Sequence, residues 1–292
     1  EYDYCDYVKI STSAYKACLA HAHITDTEEI MGLLLGNIIH LKNKKTIIEI
    51  YSSISLARNC KEKDRVEFDE LQIANASDYA EKLGKEKNLE IRVVGWYHSH
   101  PKITVPPSHV DLNTQFYQQY QGDFVGLIFS VYHFDQVSKI NTTQVIAWQT
   151  KKNNSGVLVP NYIPVSVESD EELLTDKGSK VTFSTLCDLP TFYSQLLNNL
   201  LEEEKEEADK FLKSCGEDNQ GSKEKKGVTA NEIILSANRE AMFIKILDQV
   251  AVPMRESVKN EEKQIDHAIE YYNKMNEVLT QKIQYIKKIK DK

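Results

Sequence analysis

The chain lacks the means to staple itself together. Its five cysteines (Cys5, Cys18, Cys60, Cys187 and Cys215) are odd in number, far apart and never in a CxxC pair. This argues against a disulfide framework and a cysteine-ligated zinc knuckle, and leads us to expect a reducing compartment. No apolar run approaches the roughly 18 residues that a membrane-spanning helix requires, so a soluble protein is expected. Positive charge is in deficit: the formal net charge is -8, and no basic patch stands out beyond a solvated helix face, so direct nucleic-acid binding is not expected. The first residues, EYDYCDYVKI, have neither the basic start nor the apolar middle of a secretory signal. Histidine is scarce, with eight in the chain, and none lies in an HExxH or beside a PCxxC. That excludes the zincin and zinc-deaminase patterns. An amidohydrolase barrel also carries an early HxH but needs further histidines on later strands; after His109 only His133 and His267 remain.

At 292 residues, 41% of them hydrophobic and 27% charged, the chain has enough length and apolar content for a globular domain with an extension. VKISTSAYKACLAHAH predicts a short strand and then a helix capped by Ser11 or Thr12, with His21 and His23 at the surface or the helix end. Ile30 to Ile39 reads as a buried strand, KNKK as a turn, and TIIEIYSSISLA as the returning strand of a hairpin. From Asp69 to Lys87, apolar residues recur at three and four positions, the spacing of an amphipathic helix. LEIRVVGWYHSH predicts a strand, SHVDLNTQFYQQYQ a helix, and FVGLIFSVYHF and TTQVIAWQT two further strands. The fold class is therefore α+β, a mixed sheet with at least two helices, complete by about residue 170.

Beyond that point the composition changes. An acidic helix and a Gly/Ser/charged linker occupy 171–228, and a helical region fills 229–292, with Thr229 and Glu232 as a capping box and Pro253 as a break or kink. Val258, Ile265, Tyr272, Leu279 and Ile286 lie seven apart, with Ala268, Met275 and Ile289 on the complementary positions. This predicts a coiled-coil seam for a partner helix. A helix folded back on its own domain is the alternative.

The stretch from Gly95 to Asp111, GWYHSHPKITVPPSHVD, concentrates the chemistry. His98 and His100 stand two apart on a strand end, so both imidazoles share one face while Ser99 points away. Asp111 follows a loop stiffened by Pro101, Pro106 and Pro107 and is placed as a third ligand. The fourth position of a tetrahedral zinc then remains for water. Ser108-x-x-Asp111 also has the form of a helix capping box, and the two roles are compatible. A general base must come from elsewhere, and Glu28, Glu29, Glu67 and Asp69 compete for the part.

The pattern E-I-M-G from Glu29 to Gly32, then H-S-H-P, seven residues from His100 to Ser108, and x-x-D, resembles the JAMM (MPN-plus) metalloproteases over the first 150 or so residues. The resemblance implies a curved mixed sheet flanked by helices, and the activity of a zinc-dependent isopeptidase. It implies one zinc with a bound water on His98, His100 and Asp111, with Glu29 as general acid/base and Ser108 as donor to the oxyanion. RVVGWYHSHP, SHVD, FVGLIFS and the helical C-terminus are most similar to members that cleave lysine-63-linked ubiquitin chains. Such members work in a larger BRISC-like assembly, in cytoplasm and nucleus and in DNA repair, paired with an Abraxas-type MPN-minus scaffold through both the core and the C-terminal helices. The chain departs from such relatives at Pro106, where they carry an aromatic residue. It also has no second His/Cys cluster near Asp111, so linkage selectivity is expected to depend on the partner. The alternatives are an isopeptidase for another ubiquitin-like modifier and an MPN scaffold or interaction subunit. The division that follows is a catalytic domain at 1–170, the acidic helix and linker at 171–228, and a dimerisation region at 229–292.

Overall fold

In the computed structural model the described residues are 4–57, 70–120, 122–134, 141–175, 186–216 and 252–290, with positions 237, 240, 241, 244 and 248 besides. The elements run β1 (Tyr7–Ser11), α1 (Thr12–Ala22), β2 (Met31–His40), β3 (Thr46–Ser55), α2 (Glu70–Lys87), β4 (Arg92–Pro101), α3 (His109–Gln119), β5 (Val125–Phe134), β6 (Asn141–Lys152), β7 (Leu158–Ile163), β8 (Val165–Glu168), α4 (Asp170–Thr175) and α5 (Leu189–Gly216), and a long helix, Val252–Lys290, follows. Of the two expected caps, Ser11 is the one that caps α1, its hydroxyl accepting the Ala14 N–H at 3.1 Å.

The strands form one mixed eight-stranded sheet in the order β7-β6-β5-β4-β2-β3-β1-β8. β1 runs parallel to β3 and β8, β4 runs parallel to β5, and the remaining neighbours are antiparallel. The β4–β5 connection contains α3, as a parallel pair demands a crossover. Opposite β2, the register passes from Gly95 to Val93 and skips Val94. This bulge resets the alternation of β4, so that Tyr97 joins Val94 in the core under α1 and α5. Trp96 faces the other way, among Ala76 of α2, Leu112 of α3, Ile128 and Trp148. His98 and His100, two and four residues after Trp96, share its face.

The core continues past residue 170, further than the sequence predicted. Leu173 and Leu174 of α4 pack with Leu35, Tyr51 and Leu83, and Leu189, Phe192, Tyr193 and Leu196 of α5 join the cluster around α1. The acidic run that dominates the reading of this helix lies beyond its buried first turns. His21 lies in the last turn of α1 and is buried, with its Nδ1 2.8 Å from the Tyr97 hydroxyl. His23 is the helix end, its ring Nδ1 on the Leu19 carbonyl. Cys5, Cys18 and Cys187 are free and buried. Burial pushes the Cys5 and Cys187 thiols up to about 11 and that of Cys18 higher still, which makes them inert packing residues.

The helix Val252–Lys290 carries Pro253 in its first turn, where a missing N–H is tolerated. Of the heptad residues, Tyr272, Met275 and Leu279 are about half exposed. The Thr229–Glu232 box lies outside the described residues. Among the described residues, no helix is long and apolar enough to cross a membrane.

Gly32, the last residue of the E-I-M-G run, has no room for a side chain: a Cβ there would sit 2.3 Å from the Tyr97 ring and 2.4 Å from the Ile54 carbonyl oxygen. Because one of these obstacles is backbone, Gly32→Ala should lower unfolding stability by about 1–3 kcal/mol. Urea denaturation checks this; a midpoint matching the parent's would show that strand β2 can move away from β4.

Candidate metal centre

The centre follows from the pairing of β2 with β4. Met31 stands opposite His98. Continuing this antiparallel register one residue sets Ile30 beside Ser99, and two residues set Glu29 beside His100. The Ser99 N–H donates to the Ile30 carbonyl at 3.1 Å. Glu29 Oε1 lies 3.9 Å from His100 Nε2, with the Glu29 side chain 24% exposed. The residues seventy positions apart in sequence are thus neighbours on adjoining strands.

Asp111 comes from the first turn of α3. Ser108 is the N-cap: its Oγ accepts the Asp111 N–H at 3.2 Å while its own N–H donates to Asp111 Oδ2 at 2.6 Å, closing a capping box. The capping box turns the carboxylate back toward the strand. Asp111 Oδ1 lies 3.5 Å from His98 Nε2, and Oδ2 lies 3.7 Å from His100 Nε2. The two imidazole Nε2 atoms are 3.0 Å apart. All three residues are buried, and their ligand atoms lie within 4.8 Å of one another, the one such group found among the described residues.

These residues fit a divalent cation. The His100 Nδ1 is 2.7 Å from the Thr104 carbonyl oxygen, which can only accept, so Nδ1 carries the proton and a neutral ring turns its Nε2 lone pair toward the cluster. Donors about 2.0–2.1 Å from a tetrahedral zinc are separated by about 3.3 Å, and the observed separations of 3.0, 3.5 and 3.7 Å bracket that value. His98 Nδ1 is buried and has no hydrogen-bond partner. Its ring is instead fixed by stacking on Trp96, at 4.7 Å between centroids and 17° between planes, and by an edge contact with Trp148.

The sequence reading missed this supporting shell. The Trp96 Nε1–H donates to Gln115 Oε1 at 2.7 Å, Gln115 Nε2 donates to Gln119 Oε1 and to the Phe124 carbonyl, and Gln119 both accepts from and donates to the Thr150 backbone. Asp111, Gln115 and Gln119 recur at four, one face of α3, and Trp96 precedes His98 by two on one face of β4. Both spacings were visible; burial of the glutamines was not. Of the carboxylates competing as base, Glu29 is brought to the centre, while Glu67 and Asp69 lie outside the described residues.

Electrostatics follow from the packing. Burial works against the Asp111 carboxylate, but the positive charge of His98 and hydrogen bonds from His100, His98 and Ser108 overcome it and hold the group well below the usual carboxylate range. Burial likewise disfavours the His100 imidazolium, yet hydrogen bonds to Asp111 and Thr104 and the charge of Glu29 leave it raised above its ordinary value. In the metal-free chain, the His100 contribution to stability is complete below about pH 6.5 and is lost as pH rises through the raised folded value. Asp111 contributes above about pH 3.9 and loses its contribution as pH falls toward its depressed value. A cation must displace the His100 proton, so its stabilising effect grows with pH. The gap in thermal midpoint between zinc-loaded and chelator-treated chain should therefore be wider at pH 8 than at pH 6. Scanning fluorimetry reads it, and a gap that narrows with rising pH would contradict this ligand set.

Residues 3–123 match the family model described as JAB1/Mov34/MPN/PAD-1 ubiquitin protease. With the mixed sheet, its flanking helices and the His-His-Asp cluster, this makes the N-terminal part of the chain a JAB/MPN domain. Three of the curated relatives share a name. The chain is 48% identical over 133 residues to the Lys-63-specific deubiquitinase BRCC36 of Camponotus floridanus, covering 45% of this chain and 51% of that protein. It is 44% identical over 133 residues to the protein of the same name from Xenopus tropicalis, covering 45% and 49%. With the Mus musculus protein of that name the identity is 40% over 164 residues, covering 49% and 56%. The chain thus spans about half the length of these relatives.

Proposed function

We propose that this chain is a zinc-dependent isopeptidase that hydrolyses lysine-63-linked polyubiquitin as the catalytic subunit of a larger assembly. The observation that carries the reading is the convergence of His98, His100 and Asp111 at 3.0–3.7 Å, with the Glu29 carboxylate 3.9 Å from His100, in a JAB/MPN domain whose relatives are named Lys-63-specific deubiquitinases.

His98, His100 and Asp111 would hold the zinc. When bound, the ion supplies Lewis acidity, bringing the pKa of a coordinated water toward about 7 and polarising the scissile carbonyl. Glu29, at the more exposed side of the cluster, takes the proton of the attacking water and returns it to the departing lysine amine. Ser108 Oγ already accepts the Asp111 N–H, so its own hydrogen is available to the tetrahedral oxyanion of the substrate, a contribution whose loss typically costs about 3 kcal/mol. The capping box that orients Asp111 therefore also aims Ser108.

An MPN-minus scaffold of the Abraxas type is the proposed partner. Tyr272, Met275 and Leu279, about half exposed on the helix Val252–Lys290, support docking of a second helix along the heptad face. The test is cleavage of a panel of differently linked ubiquitin dimers, with and without such a scaffold. Preferential cleavage of the lysine-63-linked dimer, increased by the scaffold, is expected. Equal cleavage of all linkages would overturn the specificity. Processing of another ubiquitin-like conjugate in preference to every ubiquitin dimer would favour the alternative modifier.

A further inference from the structure

Ser99 lies between the two histidines, and its side chain points to the opposite face, away from the cluster. It is fully buried. Its Oγ accepts the Ile30 N–H at 3.0 Å, while its own N–H donates to the Ile30 carbonyl at 3.1 Å. Ile30 is also buried, and β2 begins only at Met31. At this point the chain is leaving the ladder, and the Ile30 amide, out of reach of solvent, needs an acceptor. The Ser99 hydroxyl serves in place of a main-chain carbonyl. The residue whose amide and carbonyl are thus clasped directly follows Glu29.

We propose that Ser99 is a positioning residue for Glu29: by holding both polar groups of Ile30 to the strand that bears His98 and His100, it sets the distance of the Glu29 carboxylate from the metal cluster. The inference rests on the reading of Glu29 as acid/base given above. Two further contacts tie down the same segment, the Tyr132 hydroxyl on the His23 carbonyl and the Lys102–Asp26 ion pair. The ion pair joins half-exposed side chains, and such pairs hold geometry weakly. The Ser99 clasp acts on the residue next to Glu29. The role requires an acceptor at one place, and it acts on proton transfer without touching the metal ligands' donor atoms.

The test uses the full chain with Ser99→Ala, Ser99→Cys, which fills similar space with a weaker acceptor, and Ser99→Thr, which keeps the hydroxyl. With a lysine-63-linked ubiquitin dimer as substrate, Ser99→Ala should lower kcat by about tenfold to a hundredfold, the scale of a displacement near 1 Å. KM and bound zinc per chain should stay at parent values. Ser99→Cys should fall between, and Ser99→Thr should recover most of the loss. In Ser99→Ala, hydrogen exchange at the Ile30 amide should accelerate. An unchanged kcat in Ser99→Ala, or a loss matched by lost zinc, would overturn the proposal. So would unchanged exchange at Ile30, a readout that needs no turnover. A parent chain that binds zinc yet cleaves no ubiquitin dimer, alone or with its scaffold, would instead defeat the isopeptidase reading, leaving the exchange result to decide the clasp.

Discussion

Glu29→Gln should reduce cleavage of a lysine-63-linked ubiquitin dimer by about 10²–10⁴-fold, the usual contribution of a positioned acid/base, and should leave zinc bound. The amide nearly matches the carboxylate in shape and can still hydrogen-bond, but it cannot take a proton from water or return one to the lysine amine. Glu29 sits 3.9 Å from His100 Nε2 and is the more exposed member of the group, so the substitution leaves the buried pair of histidines and Asp111 in place. Steady-state kinetics with metal analysis on the same sample decides the matter. Near-normal turnover would remove Glu29 from the mechanism, and loss of zinc along with activity would make it a ligand rather than a base.

Asp111→Asn should separate two duties that one carboxylate performs. An asparagine at this position can still accept the Ser108 N–H that Asp111 Oδ2 takes at 2.6 Å, so α3 keeps its capping box and the chain loses only the stability that the carboxylate charge contributes beside the histidines. Asp111→Ala loses that bond as well and should cost on the order of 1 kcal/mol more. Both variants lose the negative ligand that faces His98 and His100. Removing a mere supporting hydrogen bond around a metal already costs about 10–100-fold in affinity, and loss of the ligand's charge sets that as the minimum for either variant. Zinc affinity by competition with a chromogenic chelator, set beside urea denaturation, resolves the two effects. If Asp111→Asn bound zinc as tightly as the parent, the carboxylate would be a capping residue alone.

How much of this could be read from the sequence depends on sequence distance. Elements governed by local pattern were legible: the capped start of α1, the β2–β3 hairpin, the amphipathic α2, and the Ser108–Asp111 box at the start of α3. His98 and His100 on one face of β4 followed from the period of a strand alone. The short strands β7 and β8 were missed, because neither has an alternating pattern strong enough to mark it. The burial of α5 was missed because Leu189, Phe192, Tyr193 and Leu196 precede a longer acidic run that dominates the composition of the helix. His21 lies in the last turn of α1, one of the two places expected for it, but its burial is not legible, because nothing local indicates that Tyr97, seventy-six residues away, receives its ring.

The site was legible as chemistry before it was legible as geometry. Spacing selected the histidines and Asp111, but composition left Glu29 only weakly ahead of Glu28, Glu67 and Asp69, and the family resemblance chose it. Its nearness to the cluster follows from a register: with Met31 opposite His98, the residue two before one must lie near the residue two after the other. No local pattern encodes that pairing, and the same register explains the clasp between Ser99 and Ile30. The Trp96–Gln115 support was hidden for a related reason, since its two ends lie on different elements.

The central claim is metal-dependent hydrolysis of an isopeptide bond at this cluster. Its most direct test is the rate of cleavage of a lysine-63-linked ubiquitin dimer, with the scaffold present, followed through chelation and then zinc titration. The predicted result is loss of cleavage on chelation and its return in proportion to zinc, complete at one equivalent per chain. Cleavage that persists in the chelated protein, or fails to return once one zinc per chain is bound, would contradict it.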